Sequence, residues 1–410
     1  TLSTDAWGRT TTHEYTADGL LAKVATATAT TTYTYDSDRN LTSVTDPVER
    51  TTRWTWDSDG YPTSQTTPDG AVWTFAYDTH HNLTAVTSPL MRQHRIEYDA
   101  HGLPTGVVDA LGRRRTLEYD AAGQLVKFTD RTNRVTTYTY DTVGRLASIR
   151  PQGQAPGTRF AYDANDRLTS VTHPDGSVRS VTYDACTPTA QVDETGARTA
   201  TAWDALLRPT AVTDALGQRW AATYDADGAL MSLTDPLGHA SRVTYDKTAR
   251  IVRVTDAAGT GSEFHLDQRG ALFAFVPPGR DATARTLFFR NLADEVIGTD
   301  DPVGHWVSYA YDSLGRLTRT TNARGGRVDD AFDADGRWTS RKHDDEDAAT
   351  FTYDVDGEVV STATPATGTT QFARDAEGRL LAITYPDGAT ASATLDARGF
   401  TILSDLIVRA

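Results

Sequence analysis

Carboxylates two residues apart and followed by glycine are the first feature with chemical potential. Asp57 and Asp59, Asp225 and Asp227, Asp333 and Asp335, and Asp354 and Asp356 all show this spacing. The pattern resembles the start of a calcium loop, which also needs a third oxygen ligand and a distal bidentate Glu. All four segments lack them, and Asp has a turn-forming job at each position. Paired carboxylates also hydrolyse glycosidic bonds when one pair flanks one bond. Here the same aspartate recurs in unit after unit, so no pair is singled out.

The other reactive side chains are sparse. His80, His81, His94 and His101 are the one concentration of histidine. Adjacent residues of a strand point to opposite faces, so His80 and His81 are poor joint ligands. They read as solvated turn residues. Cys186 follows Tyr183-Asp184 with no nearby histidine to activate it. Asp344-Asp345-Glu346-Asp347 reads as a solvated acidic edge guard. The expectation is no catalytic residue, no cofactor and no metal ligand.

What must position these residues is a repeat. The segment at 224–246, YDADGALMSLTDPLGHASRVTYD, begins and ends on Tyr-Asp with a second Asp-x-x-Gly between. The same register falls on Tyr15, Tyr35, Trp56, Tyr77, Tyr98 and Tyr119, then Tyr140, Tyr162, Tyr183, Trp203, Tyr224 and Tyr245. It continues through Leu266, Phe289, Tyr311, Phe332, Tyr353, Arg374 and Leu395. Of these 19 positions 11 are Tyr-Asp, and glycine stands four places later in 12, which makes the chain a tandem array of about 21 residues per unit.

Each unit spells out its own local structure. In Asp225-Ala226-Asp227-Gly228 an Asp leads and a Gly closes, as a type I turn favours. Asp235-Pro236-Leu237-Gly238 adds a proline with a preset φ. Between the turns lie alternating runs such as Trp54-Thr55-Trp56 and Phe75-Ala76-Tyr77, the period of a strand. A leucine recurs six places after many anchors, at Leu41, Leu83, Leu125 and Leu146 among others. No unit has room for a capped ten-residue helix. Each unit is strand, turn, strand, turn.

One hairpin is marginal alone, so neighbours must pair, giving about 38 strands. At about 4.8 Å each the strip is roughly 180 Å long, or a single ring roughly 60 Å across. Strand twist forces it to coil. The expected form is a spiral with an aromatic ladder on one face and Thr and Asp on the other. A propeller would show two-unit alternation, which is absent; a stacked solenoid stays open.

The array is expected to run over 1–400, with loop insertions near 151–158 and 276–288 and a non-repeat tail at 401–410. The start, Thr4-Asp5-Ala6-Trp7-Gly8, reads as mid-repeat, so the chain is expected to be a piece of a longer polypeptide. The net charge of −15 argues against nucleic acid and anionic lipid as partners. One cysteine allows no intrachain disulfide, and no apolar run approaches membrane-span length.

Tyr311-Asp312-Ser313-Leu314-Gly315-Arg316-Leu317-Thr318 resembles the YD repeat of bacterial Rhs proteins. The same repeat occurs in wall-associated toxins, toxin-complex components and teneurins. The resemblance covers essentially the whole chain. It implies an all-β strip spiralling into a hollow shell, or part of one, that encloses a C-terminal toxin. It further implies a secreted or cell-surface bacterial protein. The implied partners are the rest of the parent polypeptide, the toxin, secretion-system components and surface glycans. Family toxins carry paired Asp-Pro-x-Gly motifs for self-cleavage. Here Asp235-Pro236-Leu237-Gly238 and Asp301-Pro302-Val303-Gly304 are ordinary repeat turns, so the piece reads as wall rather than protease or cargo. The alternative is a carbohydrate- or cell-surface-binding module using an exposed tryptophan such as Trp54 or Trp73.

Overall fold

Pairing runs strictly from each strand to the next. The computed structural model describes residues 1–5, 7–395 and 401–407. They form one 39-stranded antiparallel sheet, from Leu2–Thr4 to Thr401–Ile407, with no α-helix among the described residues. Six-residue strands such as Thr51–Trp56 alternate with five-residue strands such as Pro62–Thr66. No pairing joins the first described strand to the last, so the sheet is open. Thr401–Ile407 pairs with Thr390–Leu395 and extends the sheet into the segment expected to be a tail. Residues 408–410 lie outside the described residues. Longer loops stand at 152–157 and 277–285.

The turns follow the Asp and Gly chemistry closely. At Asp109, Oδ1 accepts the amides of Leu111 at 3.1 Å and Arg113 at 2.8 Å. Its carbonyl accepts the Gly112 amide at 3.0 Å, and its own amide donates to the Arg113 carbonyl at 3.0 Å. This is a type I turn followed by a left-handed residue, the usual three-residue hairpin loop. Gly112 takes that seat at φ 79° without a Cβ clash. Where glycine is missing the same seat is still left-handed, as at His81 with φ 63°.

The recurring aromatic anchor is a hydrogen-bond donor. Tyr77 Oη donates to the Pro62 carbonyl at 3.0 Å, Tyr98 to Leu83 at 2.9 Å and Tyr140 to Leu125 at 2.9 Å. Each acceptor opens the second strand of the preceding hairpin, beside the bulge that that hairpin's own anchor makes. Trp56 and Trp203 keep the register because indole Nε1 donates to Leu41 and Pro188, each at 2.8 Å. The anchor is thus most often aromatic or long with a donor at its tip, although Leu266 and Phe332 fill the seat at their bulges without one. This corrects the register at one point. Arg290, not Phe289, pairs with Val296 at the bulge, and its Nε donates to the Leu272 carbonyl at 3.3 Å. Arg374 does the same to Val359 at 3.3 Å.

The arginine after the turn glycine joins the same lock. Arg145 Nε donates to Asp141 at 2.7 Å while its guanidinium lies 4.9 Å from the next anchor ring, Tyr162. Arg208 over Tyr224 and Arg337 over Tyr353 repeat this at 4.8 and 4.3 Å. Such cation–π contacts contribute about 0.5–1 kcal/mol at partly exposed sites.

The two faces differ in character. On one, Tyr33 and Tyr35 face Val44 and Leu41, all half-buried. The other carries hydroxyl pairs, such as Thr55 with Ser64 at 2.6 Å, and ion pairs such as Lys127 with Glu118 at 2.7 Å. The aspartates expected on that face stand at the turns instead, because the turn amides claim them. Among the described residues no large side chain is fully buried, and the buried apolar residues are small, such as Ala85, Ala211 and Ala274. The sheet is one layer thick and has no core in the usual sense.

That layer winds past one full lap. Residues 243 to 247 positions apart meet edge to edge, as Arg92 meets Asp335 and Thr132 meets Arg379. A lap is thus about 12 hairpins. At about 4.8 Å per strand its circumference is about 110 Å and its diameter roughly 35 Å. The ring of roughly 60 Å assumed a single lap; a second lap tightens it.

Replacing Tyr140 by Phe keeps the ring and removes the donor. The expected cost is about 1 kcal/mol, with faster amide exchange where its acceptor Leu125 begins the strand Leu125–Thr129. Phe332→Tyr, at an anchor that lacks the hydroxyl, is expected to slow exchange around it.

Candidate functional site

The edge-to-edge seam is where chemistry concentrates. Every hairpin offers a first turn, after the anchor, and a second turn at the opposite edge of the strip. The second turns of the first lap meet the first turns of the second lap. Asp335, in the first turn Asp333–Arg337, accepts from Ser88 Oγ at 3.0 Å, the Leu90 amide at 3.2 Å and Arg92 Nε at 2.6 Å. Its side chain is 0% exposed. One hairpin further on, Asp356 accepts from the Ala110 amide at 3.1 Å and Arg113 Nη2 at 2.5 Å. Next, Glu377 accepts from the Arg131 amide at 2.5 Å and pairs with Arg115. Earlier in the lap Arg50 Nη1 donates to Glu295 at 2.6 Å.

Asp109 holds this network from the other side, with Arg113 Nε at 2.7 Å and Arg131 Nε at 3.2 Å. Burial by itself would push the Asp109 carboxyl up. The Arg113 amide and guanidinium, together with the Arg131 charge, outweigh it and hold Asp109 below the usual carboxylate value.

One place in the seam is open. The second turn Thr26–Ala29 closes with a 2.9 Å bond between those two residues, one residue tighter than its neighbours. It has neither the Asp nor the Arg of the other turns. Opposite it lies a cavity of about 620 Å³, lined among others by Arg9, Asp46, Arg50, Arg250 and Arg269. Arg9 Nη1 crosses the gap to the Arg269 carbonyl at 2.8 Å. Trp7 stacks edge-on against Tyr245 with ring centres 6.3 Å apart, again across the seam.

The residues singled out by sequence divide clearly. Asp57 Oδ1 takes the amides of Asp59 and Tyr61 at 3.0 and 2.9 Å, a turn role. Asp225 caps the Ala229 amide at 2.8 Å, while Asp227 pairs with Lys247 at 2.7 Å. Asp333 and Asp354 serve their own turns, whereas Asp335 and Asp356 face the seam. Among the described residues no three His, Cys, Asp or Glu side chains converge on a metal position. His81 stacks on Tyr61 at 4.6 Å, His94 is half-buried in the strand Gln93–Tyr98, and the His101 side chain is 85% exposed. Cys186 is exposed in its turn, its amide bonded to Asp184 at 3.1 Å. The Asp344 carboxylate caps the Arg327 amide, and the Glu346 amide bonds the His343 carbonyl at 2.9 Å. Trp54 and Trp73 are half-buried in the apolar ladder; the more exposed tryptophans are Trp306 at 42% and Trp338 at 39%.

A family model described as RHS Repeat matches residues 35–71, 56–90, 98–127, 119–155, 141–178, 162–186, 224–260 and 353–390, more than half of the chain. No curated protein sequence matches it. Among solved structures, the Photorhabdus luminescens Tc holotoxin pore aligns over 97% of this chain and 26% of its own, with TM-score 0.52 and 13% identity. The TcdB2-TccC3 crystal structure aligns over 97% of this chain and 23% of its own, at TM-score 0.39 and 16% identity. The likeness to the holotoxin pore is one of fold. The chain spans about a quarter of the length of either structure.

Asp335→Ala leaves Arg92 without its carboxylate and the Leu90 amide without an acceptor. The expected cost is about 3 kcal/mol, read as faster exchange at Leu90, 245 residues away. Asp109 sets a pH limit. Its folded pKa is depressed, so its contribution is complete above the ordinary carboxylate value of about 4 and is lost as pH falls through the folded value. The stability gap between wild type and Asp109→Asn is expected to be flat above pH ~5 and to shrink below pH ~4, by urea titration at stepped pH.

Proposed function

The chain belongs to the RHS-repeat family, and on that premise we propose that it is a stretch of shell wall enclosing a toxin carried by its parent polypeptide. The observation that carries this reading is the seam. A single-layer sheet 39 strands long would be a floppy ribbon; arginine–carboxylate contacts between its edges turn it into a continuous curved surface. Containment then needs no catalytic group. The wall denies the cargo solvent and partners until delivery in bacterial or host competition. Its place is outside the producing cell or on its surface, and secretion-system components are its delivery partners.

A second reading rests on Trp306 and Trp338. Trp306 lies 4.9 Å from the Phe289 ring, and Trp338 lies 4.4 Å from the Arg341 guanidinium. An exposed aromatic pair at Trp306 and an aromatic plane beside a charge at Trp338 suit sugar recognition.

Small-angle scattering separates the two. A wall gives a pair-distance distribution with the deficit at mid-range that a hollow particle produces. A solid, compact profile would sink the shell reading. Glycan-array binding that disappears in Trp306→Ala or Trp338→Ala would favour recognition instead.

A further inference from the structure

The cavity beside the turn Thr26–Ala29 lies within the seam, flanked by joined laps. On one side Trp7 meets Tyr245, and on the other Arg50 meets Glu295 at 2.6 Å. The unit that supplies this turn is short: Tyr15 and Tyr35 stand 20 residues apart, whereas Tyr35 and Trp56 stand 21 apart. The turn carries the loss. Asp46–Arg50 beside it spans five residues, and Thr26–Ala29 spans four.

Four arginines line the cavity, and three of them hold carboxylates of their own. Arg9 Nε donates to Asp5 at 2.5 Å, Arg50 Nε to Asp46 at 2.6 Å and Arg269 Nε to Asp267 at 3.1 Å. Arg250 is the fourth. It stands five residues after an anchor, as Arg145 and Arg208 do, where the guanidinium bonds the turn aspartate and lies over the next anchor ring. Neither support is on offer to Arg250. Its turn keeps the ladder in register without a bulge, with Tyr245 facing Val252 and Asp246 facing Ile251. The left-handed seat therefore falls one place later than usual, on Arg250 itself at φ 56°. Asp246 Oδ1 takes the amides of Thr248 at 3.1 Å and Ala249 at 2.8 Å, and the next anchor is Leu266, which has no ring.

Among the described residues Arg250 Nε is buried and has no hydrogen-bond partner. A buried donor on a charged group is costly to leave unpaired. Elsewhere in the seam the answer to an arginine is a carboxylate, as Asp335, Asp356 and Glu377 show. The planar guanidinium fork matches that group in shape as well as charge. With its three neighbours paired, Arg250 leaves one positive charge to balance. A volume of about 620 Å³ is far more than a lone carboxylate fills and falls in the range that holds a small organic molecule. The rest of the lining brings the hydroxyls of Thr10, Thr11 and Thr26 beside apolar Ala27 and Leu292.

We propose that this cavity binds a small hydroxylated monocarboxylate, its carboxylate on the Arg250 guanidinium and its hydroxyls toward the threonines. This goes beyond the wall reading and stands whether or not the shell holds cargo. The ligand touches a first-lap turn and a second-lap turn at once, so it completes the seam where the shortened turn brings no carboxylate. Because it binds the wound sheet and not the unfolded chain, it stabilises the fold in proportion to its occupancy.

Isothermal titration calorimetry and thermal unfolding of the full chain test this. The probes are sodium gluconate, sodium acetate and sodium phosphate, each against sodium chloride at equal ionic strength. Gluconate is expected to bind and to raise the melting temperature with concentration. Acetate has the charge without the body and is expected to bind about tenfold more weakly. Arg250→Gln is expected to weaken gluconate binding about tenfold or more, with circular dichroism unchanged. Ala27→Glu sets a carboxylate on the cavity wall. It is expected to raise the melting temperature in sodium chloride alone and to abolish the response to gluconate. Gluconate that does not bind overturns the proposal. So does phosphate that binds more tightly than gluconate, or a gluconate response that survives in Arg250→Gln or in Ala27→Glu.

Discussion

Everything in this molecule hangs on one donor placed at one end of a strand. The anchor side chain reaches back to a carbonyl at the start of the preceding hairpin's second strand, beside the bulge where that hairpin kinks. A sheet with no core has little apolar burial to fix the relation of one hairpin to the next. The ladder hydrogen bonds set spacing, yet a strand ladder alone tolerates slippage when its sides are Thr and Ser. The anchor bond removes that freedom in most repeats, those of Leu266 and Phe332 being among the exceptions. It explains why Tyr, Trp and Arg share a position that hydrophobicity alone would not group.

From that lock the rest follows in order. A bulge beside each anchor adds local twist, and twist repeated about 12 times per lap brings one edge back against the other. Only then do Asp335, Asp356 and Glu377 find their arginines. Local turn chemistry, curvature and the seam are therefore one causal chain, with energetic emphasis moving from neutral hydrogen bonds to charged ones. The seam pairs are largely out of solvent, so breaking one leaves a stranded charge rather than a hydrated one.

Much of this was legible in the sequence, for identifiable reasons. Asp and Gly at fixed offsets specify the turn through backbone geometry, and the alternation at Trp54-Thr55-Trp56 specifies the strand. Those are local effects. Two things were not legible. Phe289 carries the aromatic signal of an anchor, whereas the seat at the bulge belongs to Arg290, whose Nε makes the bond to the preceding hairpin. The seam was hidden because its partners stand 225 to 262 residues apart. The turn aspartates looked interchangeable, and only lap geometry separates Asp333, which serves its own turn, from Asp335, which crosses. The trace of the seam in sequence is the arginine closing second turns at Arg50, Arg92 and Arg113, giving way to Gln218, His239 and His305 later on.

The separation between seam partners also puts a clock into the protein. A nascent chain grows at about 5–20 residues per second, so Arg92 emerges roughly 10–50 s before the carboxylate that neutralises it. Hairpins form within microseconds, so the first lap exists as an ordered, open-edged ribbon through that interval. Each further hairpin then meets a waiting arginine in the order of synthesis. The wall is laid course by course, from one end, and at any moment only its newest turn has an unset joint.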